Sequence, residues 1–382
     1  MPYRAKDIYR GRRKFHVPLT IFLFILAGLI IGAVVLFYVL QQYIIYDQNG
    51  VTLALPFMQA ETQPDPELVE PSPTFEPIAV QVIYEEPDFN EIDLSGWDLL
   101  TDTKARFIPY NDVVSETKLA SDISNASGGD FTGFVFELKG RSGRLAWASD
   151  SELASAYGTA GTMDYTELVA SLHEQGYTCA AQISCCADEL MATRNWPVTL
   201  QQTSGTPYRD SGGVYWLDPY NRTVRDYIAD LMAELSAMGF DEIVLADLCH
   251  PIGAASYGED GALISTGFQY SVTLQTEESP VNAVCQMARR LAEGMEDTGT
   301  TVSVLLDEAS LRNGSAALTG QEIDIFWRVF ARLYCPCESW NAMTDLETAA
   351  ETLNGGDIAV RFVPVCEYIP EDFESYLLLP TK

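Results

Sequence analysis

Hydrophobic positions follow three different rhythms along the chain. In residues 17–40, VPLTIFLFILAGLIIGAVVLFYVL, no charge interrupts 24 positions. At ~1.5 Å per residue this is long enough to cross a hydrocarbon core of ~30 Å, so one membrane-spanning helix is expected. The next stretch, YIIYDQNGVTLALPF, alternates apolar and polar residues around Asn49-Gly50. That pair accepts the positive φ angles of a tight turn, which predicts a short β-hairpin within residues 41–58. Residues 59–78 are rich in proline and acids and poor in bulky apolar groups. They cannot bury enough surface to fold and are read as an extended linker. Residues 79–104 form the transition to a domain.

From residue 105 to 382 the pattern alternates between short apolar runs and amphipathic stretches. Strands are expected at 105–110, 131–139, 177–184, 212–218, 241–247, 300–306, 322–334 and 357–365. Helices are expected near 114–126, after Asp164, and at 221–239, 279–297 and 344–354. Asp164 with Glu167 three positions later has the form of a capping box, and Gly239 suits a helix C-terminus. Continuous apolar strands between amphipathic helices mean a parallel sheet covered on both faces. Eight of them over this length predict an α/β fold of the (β/α)8 TIM-like barrel class. A doubly wound open sheet is the alternative, weakened because no GxGxxG follows an early strand.

Charge adds orientation. The first 16 residues hold six basic groups against the single acid Asp7, and after the apolar segment the next basic residue is Lys104. This asymmetry predicts a cytoplasmic N-terminal tail, a single pass through the cell membrane and an extracytoplasmic C-terminal domain. Past residue 16 the chain carries 17 basic and 53 acidic residues, a field that repels nucleic acid. GxSxG and GxxxxGK are absent, which removes the nucleophile-elbow and phosphate-loop chemistries. Eight cysteines all lie beyond residue 170. With His250 they lack the usual spacing of zinc ligands, so no metal and no cofactor is expected. Packing thiols, or a disulfide from Cys335 or Cys337 to Cys366 across neighbouring strands, is the expected use.

The stretch GGVYWLDPYNRTVRDYIADLMAELSAMGFDEIVLADLCHP (212–251) resembles the bacterial putative glycoside hydrolase domain family, and FTGFVFELKGRSGRLAW (131–147) resembles an earlier segment of it. The resemblance extends over residues 105–370 and implies a glycosidase-type barrel acting on a carbohydrate. Two positions depart from the family pattern. Ala246 stands where an aspartate is frequent, with Asp247 one residue later, and Glu137 replaces a commoner aspartate. Successive side chains on a strand face opposite ways, so an offset of one residue decides whether Asp247 serves the barrel mouth.

Barrel enzymes carry their chemistry on the C-terminal ends of strands, and glycoside hydrolysis needs two carboxyl groups, one protonated and one ionised. Asp247 with Asp218 or Glu137 are the catalytic candidates. Trp216, Tyr215, Trp147, Asp307 and Glu367 are candidates for substrate binding, because sugar rings stack on aromatic faces. Each has a plainer use: Asp218 as a helix N-cap, Glu137 in an ion pair with Lys139 or Arg141, Asp307 as a loop acid, the aromatics as loop packing. Two functions remain open here. One is a membrane-anchored glycoside hydrolase; the other is a catalytically degenerate barrel that binds a glycan or an envelope protein.

Overall fold

The computed structural model describes residues 44–47, 50–53, 100–202, 204–251, 256–257, 263–265, 267–271, 280–313, 319–337, 340–352, 358–370 and 373–380. Chain contacts divide it into two units, Met1–Glu86 and Pro87–Lys382. In the first, Ile44–Asp47 and Gly50–Leu53 pair antiparallel with Asp47 opposite Gly50. The apolar segment 17–40 and the linker 59–78 lie outside the described residues. No helix among the described residues is long and apolar enough to cross a membrane.

The second unit contains a closed ring of eight parallel strands. They are β1 (Lys104–Ile108), β2 (Gly133–Lys139), β3 (Thr178–Ser184), β4 (Glu242–Ala246), β5 (Thr301–Leu305), β6 (Leu333–Pro336), β7 (Phe362–Cys366) and β8 (Tyr376–Leu378). Order around the ring follows order along the chain, and β8 pairs with β1 to close it. The predicted barrel is therefore present.

Strand alternation builds two separate cores. Ala105, Val135, Ala180, Val244, Tyr334, Val363, Val365 and Leu377 fill the barrel interior. Their sequence neighbours face outward, and Phe134, Phe136, Ile183, Ile243 and Leu245 meet the helices. Among those helices are α1 (Glu116–Ala126), α2 (Thr166–Glu174), α3 (Arg222–Ala237), α4 (Pro280–Glu293), α5 (Ile323–Val329) and α6 (Trp340–Thr352). On α3 the buried Val224, Tyr227, Ile228, Leu231 and Leu235 recur at three- and four-residue spacing, the apolar stripe of a helix against a sheet. Asn221 caps its start by accepting from the Thr223 N–H at 3.0 Å, and Gly239 takes φ 94° after its end.

Two expected strands are corrected, and the ring holds one that the pattern does not predict. Residues 212–218 form no barrel strand; they run as an extended segment over the ring, bridging Ala187 to Trp216 and Thr199 to Leu217. The apolar run 322–334 divides into α5 and the start of β6, because its length accommodates a helical turn before the strand. The last strand is β8, separated from β7 only by residues 367–375.

Candidate active site

The C-terminal ends of β2, β3 and β4 come together around Asp247. Val244 lies in the interior core, so Glu242, Val244 and Ala246 share the inward face and a regular strand would send residue 247 outward. It does not continue regularly. Asp247 has φ 51°, the single non-glycine residue with positive φ among those described. Aspartate tolerates this left-handed conformation better than most residues. The turn brings its carboxylate back over the barrel end, where its side chain is 11% exposed. The one-residue offset from Ala246 is thus compensated by backbone conformation.

Arg141, in the loop after β2, grips that carboxylate with a fork. Its Nε and Nη2 donate to Asp247 Oδ1 at 3.0 and 2.7 Å, and Nε also reaches Oδ2 at 3.2 Å. Burial works to lower the pKa of Arg141, yet the charge and hydrogen bonds of Asp247 outweigh it and the net shift is upward. Ser184, at the end of β3, places its Oγ 2.7 Å from Asp247 Oδ2 and 2.8 Å from the Ala187 carbonyl. One hydroxyl proton serves these two acceptors in turn.

Below this pair lies a second, wholly buried one. A register shift between Glu137 and Lys139 in β2 sets Lys139 opposite Ile183, whose side chain faces the outer core, and so turns Lys139 away from the barrel interior. Its Nζ sits 2.9 Å from Asp188 Oδ2 and also donates to the Ser184 carbonyl, with neither side chain exposed. Asp188 in turn caps the short helix Glu189–Arg194 by accepting from the Met191 N–H at 2.8 Å. Gly143 permits the approach: it has φ 78°, and a Cβ there would lie 2.0 Å from Asp188 Oδ1. Lys139 and Arg141 therefore do not pair with Glu137, as their spacing had suggested; each serves an aspartate from a later strand or loop. Glu137 is half-buried, shares the inward face with Val135, and accepts from the Tyr110 N–H at 2.9 Å.

The other candidates separate into those that reach solvent and those that do not. Asp218 is fully buried. Its Oδ1 accepts from the Tyr220 N–H at 2.8 Å, and Oδ2 accepts from the Ser271 N–H and Oγ at 2.6 and 2.7 Å. It fastens two loops together and is not the N-cap of α3, a role held by Asn221. Trp147 is also fully buried, its Nε1 donating to Glu234 Oε2 at 2.8 Å on α3. No ring face is left for a sugar, and Trp147 is a core residue. Trp216 is 4% exposed and donates to Asp210 at 2.9 Å. Tyr215 is half-buried beneath the Arg209 guanidinium, 4.9 Å from its ring centre. Asp307 is half-buried after β5, where its N–H donates to Gln321 Oε1 at 2.7 Å, and Glu367 is exposed after β7. Among the described residues, the exposed aromatics that follow strands are instead Trp196, after β3, and Tyr368, after β7.

All eight cysteines are buried free thiols, so the pairing expected from Cys335 or Cys337 to Cys366 is not formed. Cys337 and Cys366 fall opposite each other if the β6–β7 register is continued by one residue, and both pack in the outer core. Burial raises every one of the three thiols around Asp247, with the Asp247 charge adding to it. Cys186 is pushed up to about 12, and Cys185 and Cys249 stand well above the ordinary thiol value. A thiol held protonated and shielded is a poor nucleophile. Iodoacetamide is therefore expected to leave all eight unmodified in the folded protein and to label all eight after unfolding; intact-mass measurement counts the adducts. Fewer than eight after unfolding without reductant would reveal a disulfide.

The family model described as "Putative glycosyl hydrolase domain" matches residues 105–325, more than half of the chain. Among solved structures, the glycoside hydrolase domain of PgaB (BpsB) from Bordetella bronchiseptica matches at 12% identity, with 73% of this chain and 94% of that one covered and a TM-score of 0.52. A hypothetical protein from Ruminiclostridium thermocellum matches at 17% identity over 52% of this chain and 95% of that one, with a TM-score of 0.43. At such identities the likeness is one of fold. No curated protein matches the chain. Strands β2 to β5, and the strand ends that carry Glu137 and Asp247, fall within the matched span: the chain belongs to the putative glycosyl hydrolase domain family.

Proposed function

We propose that the protein is a glycoside hydrolase working at the C-terminal mouth of its barrel, with Asp247 as the ionised carboxylate and Glu137 as the proton donor. The observation that carries this reading is the left-handed turn at Asp247, which restores to the mouth a carboxylate that the sequence offset would have sent away from it. Backbone strain of this kind is retained where the surrounding structure enforces it, often at a functional site. Asp247 acts as acceptor in every bond it makes with Arg141 and Ser184, the part of a charged group. Glu137 is half-buried and bonded to a single backbone N–H. In the reaction it protonates the departing glycosidic oxygen while Asp247, or water activated by it, attacks the anomeric carbon.

Location follows from the sequence: residues 17–40 anchor the chain in the cell membrane, and the basic tail before them stays in the cytoplasm. The barrel then works outside the cytoplasm on a surface or environmental glycan. Protease added to intact cells should remove the barrel and leave the tail.

The grip of Arg141 on both oxygens of Asp247 favours a second reading, a barrel that binds glycan without cleaving it. The purified full chain, incubated with a panel of neutral and amino-sugar polysaccharides, separates the two. New reducing ends support hydrolysis; retention of a glycan without new ends supports binding. Arg141→Ala gives a finer view. Arg141 is about half exposed, so the fold should survive its loss. A freed, misaligned Asp247 should lower kcat by roughly 10–100-fold with little change in KM, the range seen when a supporting shell is removed. A large rise in KM at constant kcat would make Arg141 a substrate ligand instead.

A further inference from the structure

The opposite end of the barrel, where strands begin, holds a set of side chains that the mouth does not use. His173 lies in the last turn of α2, Cys179 is the second residue of β3, and Asp241 immediately precedes β4. His173 Nε2 is 2.8 Å from Asp241 Oδ2. The Cys179 Sγ and one ligand atom from each of the other two all lie within 4.8 Å of one another. The three residues come from separate elements and no local spacing links them.

We propose that His173, Cys179 and Asp241 form a binding site for a divalent transition-metal ion of the zinc class. Imidazole nitrogen, thiolate sulfur and carboxylate oxygen together are ligands that a borderline ion accepts. With bonds of about 2.0–2.3 Å, tetrahedral ligand atoms stand roughly 3.3–3.8 Å apart, so these side chains need to shift by only about an ångström. Two of the three are held in place before any ion arrives. The Asp241 N–H donates to the Cys179 carbonyl at 2.9 Å, and the Cys179 N–H donates back to Asp241 Oδ2 at 2.8 Å. His173 and Asp241 are partly exposed, which gives an ion a way in. On that exposed side water can complete the coordination as the fourth ligand.

Binding has a proton cost with a measurable sign. Burial and the nearby Asp241 raise the Cys179 thiol to about 12, so the metal-free protein holds it protonated. When the ion binds, the S–H bond breaks, the sulfur pair forms the bond to the metal, and the proton leaves to solvent. Affinity should therefore rise with pH. An ion at this place would tie α2, β3 and the α3–β4 turn together at the end of the barrel that ordinarily serves stability.

The full chain, stripped with chelator and titrated with Co²⁺, is expected to bind one ion and to develop a thiolate-to-cobalt charge-transfer band in the near ultraviolet. The band should vanish in Cys179→Ser, and His173→Gln should weaken Co²⁺ binding about tenfold or more. Zn²⁺ should displace Co²⁺ and raise the melting temperature of the wild type but not of Cys179→Ser. His173 is partly exposed, so His173→Gln folds even if the buried cysteine proves intolerant of change. Absence of the band in the wild type, its persistence in folded Cys179→Ser, or unchanged Co²⁺ affinity in His173→Gln each overturns the site. In the first case His173 and Asp241 are an ordinary surface ion pair.

Discussion

Asp247→Asn is expected to lower glycan hydrolysis by about 10³-fold while leaving the circular dichroism and melting temperature of the protein close to wild type. The substitution isolates charge from shape. Asparagine tolerates φ 51° as aspartate does, so the turn after β4 can be kept. Its amide oxygen still accepts from Ser184 or Arg141, which hold the carboxylate at 2.7 Å. What is lost is the negative charge that attacks, or orients a water, at the anomeric carbon. Hydrolysis rates with wild type and variant matched for folded protein check this. Activity retained within threefold would move the reaction away from Asp247 and leave the mouth as a binding surface. Asp247→Ala is a poorer probe, because it also frees Arg141 and removes the group that makes the left-handed conformation tolerable.

The largest effect on stability is expected from Lys139→Ala. Lys139 and Asp188 are both fully buried, 2.9 Å apart, and removing the cation leaves the carboxylate without its partner in a dry place. Breaking such a pair costs about 3–5 kcal/mol. That is a large part of the ~5–15 kcal/mol available to a typical domain. In a domain of this size, the melting temperature should fall by roughly 6–15 °C. Lys139→Met distinguishes the causes, since it restores most of the volume and none of the charge. Equal destabilisation of the two variants identifies the orphaned Asp188 charge as the cost; recovery in Lys139→Met identifies packing. A fall of under about 1 kcal/mol in both would mean that water reaches Asp188. The pair need not add net stability over a hydrophobic replacement of both partners. Its importance is that neither partner can be removed alone.

Much of the barrel can be read from periodicity, because strands buried on both faces and helices with one apolar stripe leave different marks. β1 to β5 and α1 to α4 fall where those marks predict them. Errors arise where burial and backbone geometry separate. The run 212–218 is apolar because it is covered, with Trp216 and Leu217 both buried, yet it lies over the ring instead of in it. β8 has three residues, too few for any period to show. At the site, the place of Asp247 just after β4 is legible and its direction is not, because direction depends on one φ angle that no pattern of residue types encodes. Arg141 and Lys139 are visible as charges beside Glu137, but their partners lie 106 and 49 positions along the chain. Trp147 is misread for the converse reason: an aromatic near a strand end can equally fill the space beneath a loop, and Glu234 on α3 supplies the hydrogen-bond partner that lets it do so.

Closure of the ring by β8 has a consequence for how the chain is made. Leu377 and Leu378 pair with Ala105 and Arg106, and the Thr103 N–H donates to Ser375 Oγ across 272 positions. During synthesis, β1 must wait with one edge bare until residues 376–378 have emerged. Contacts of such long range slow folding and prolong exposure of sticky edges. Ribosome-bound chains halted before Tyr376 should therefore remain protease-sensitive and dependent on holding chaperones, and emergence of β8 should convert them abruptly to the resistant form.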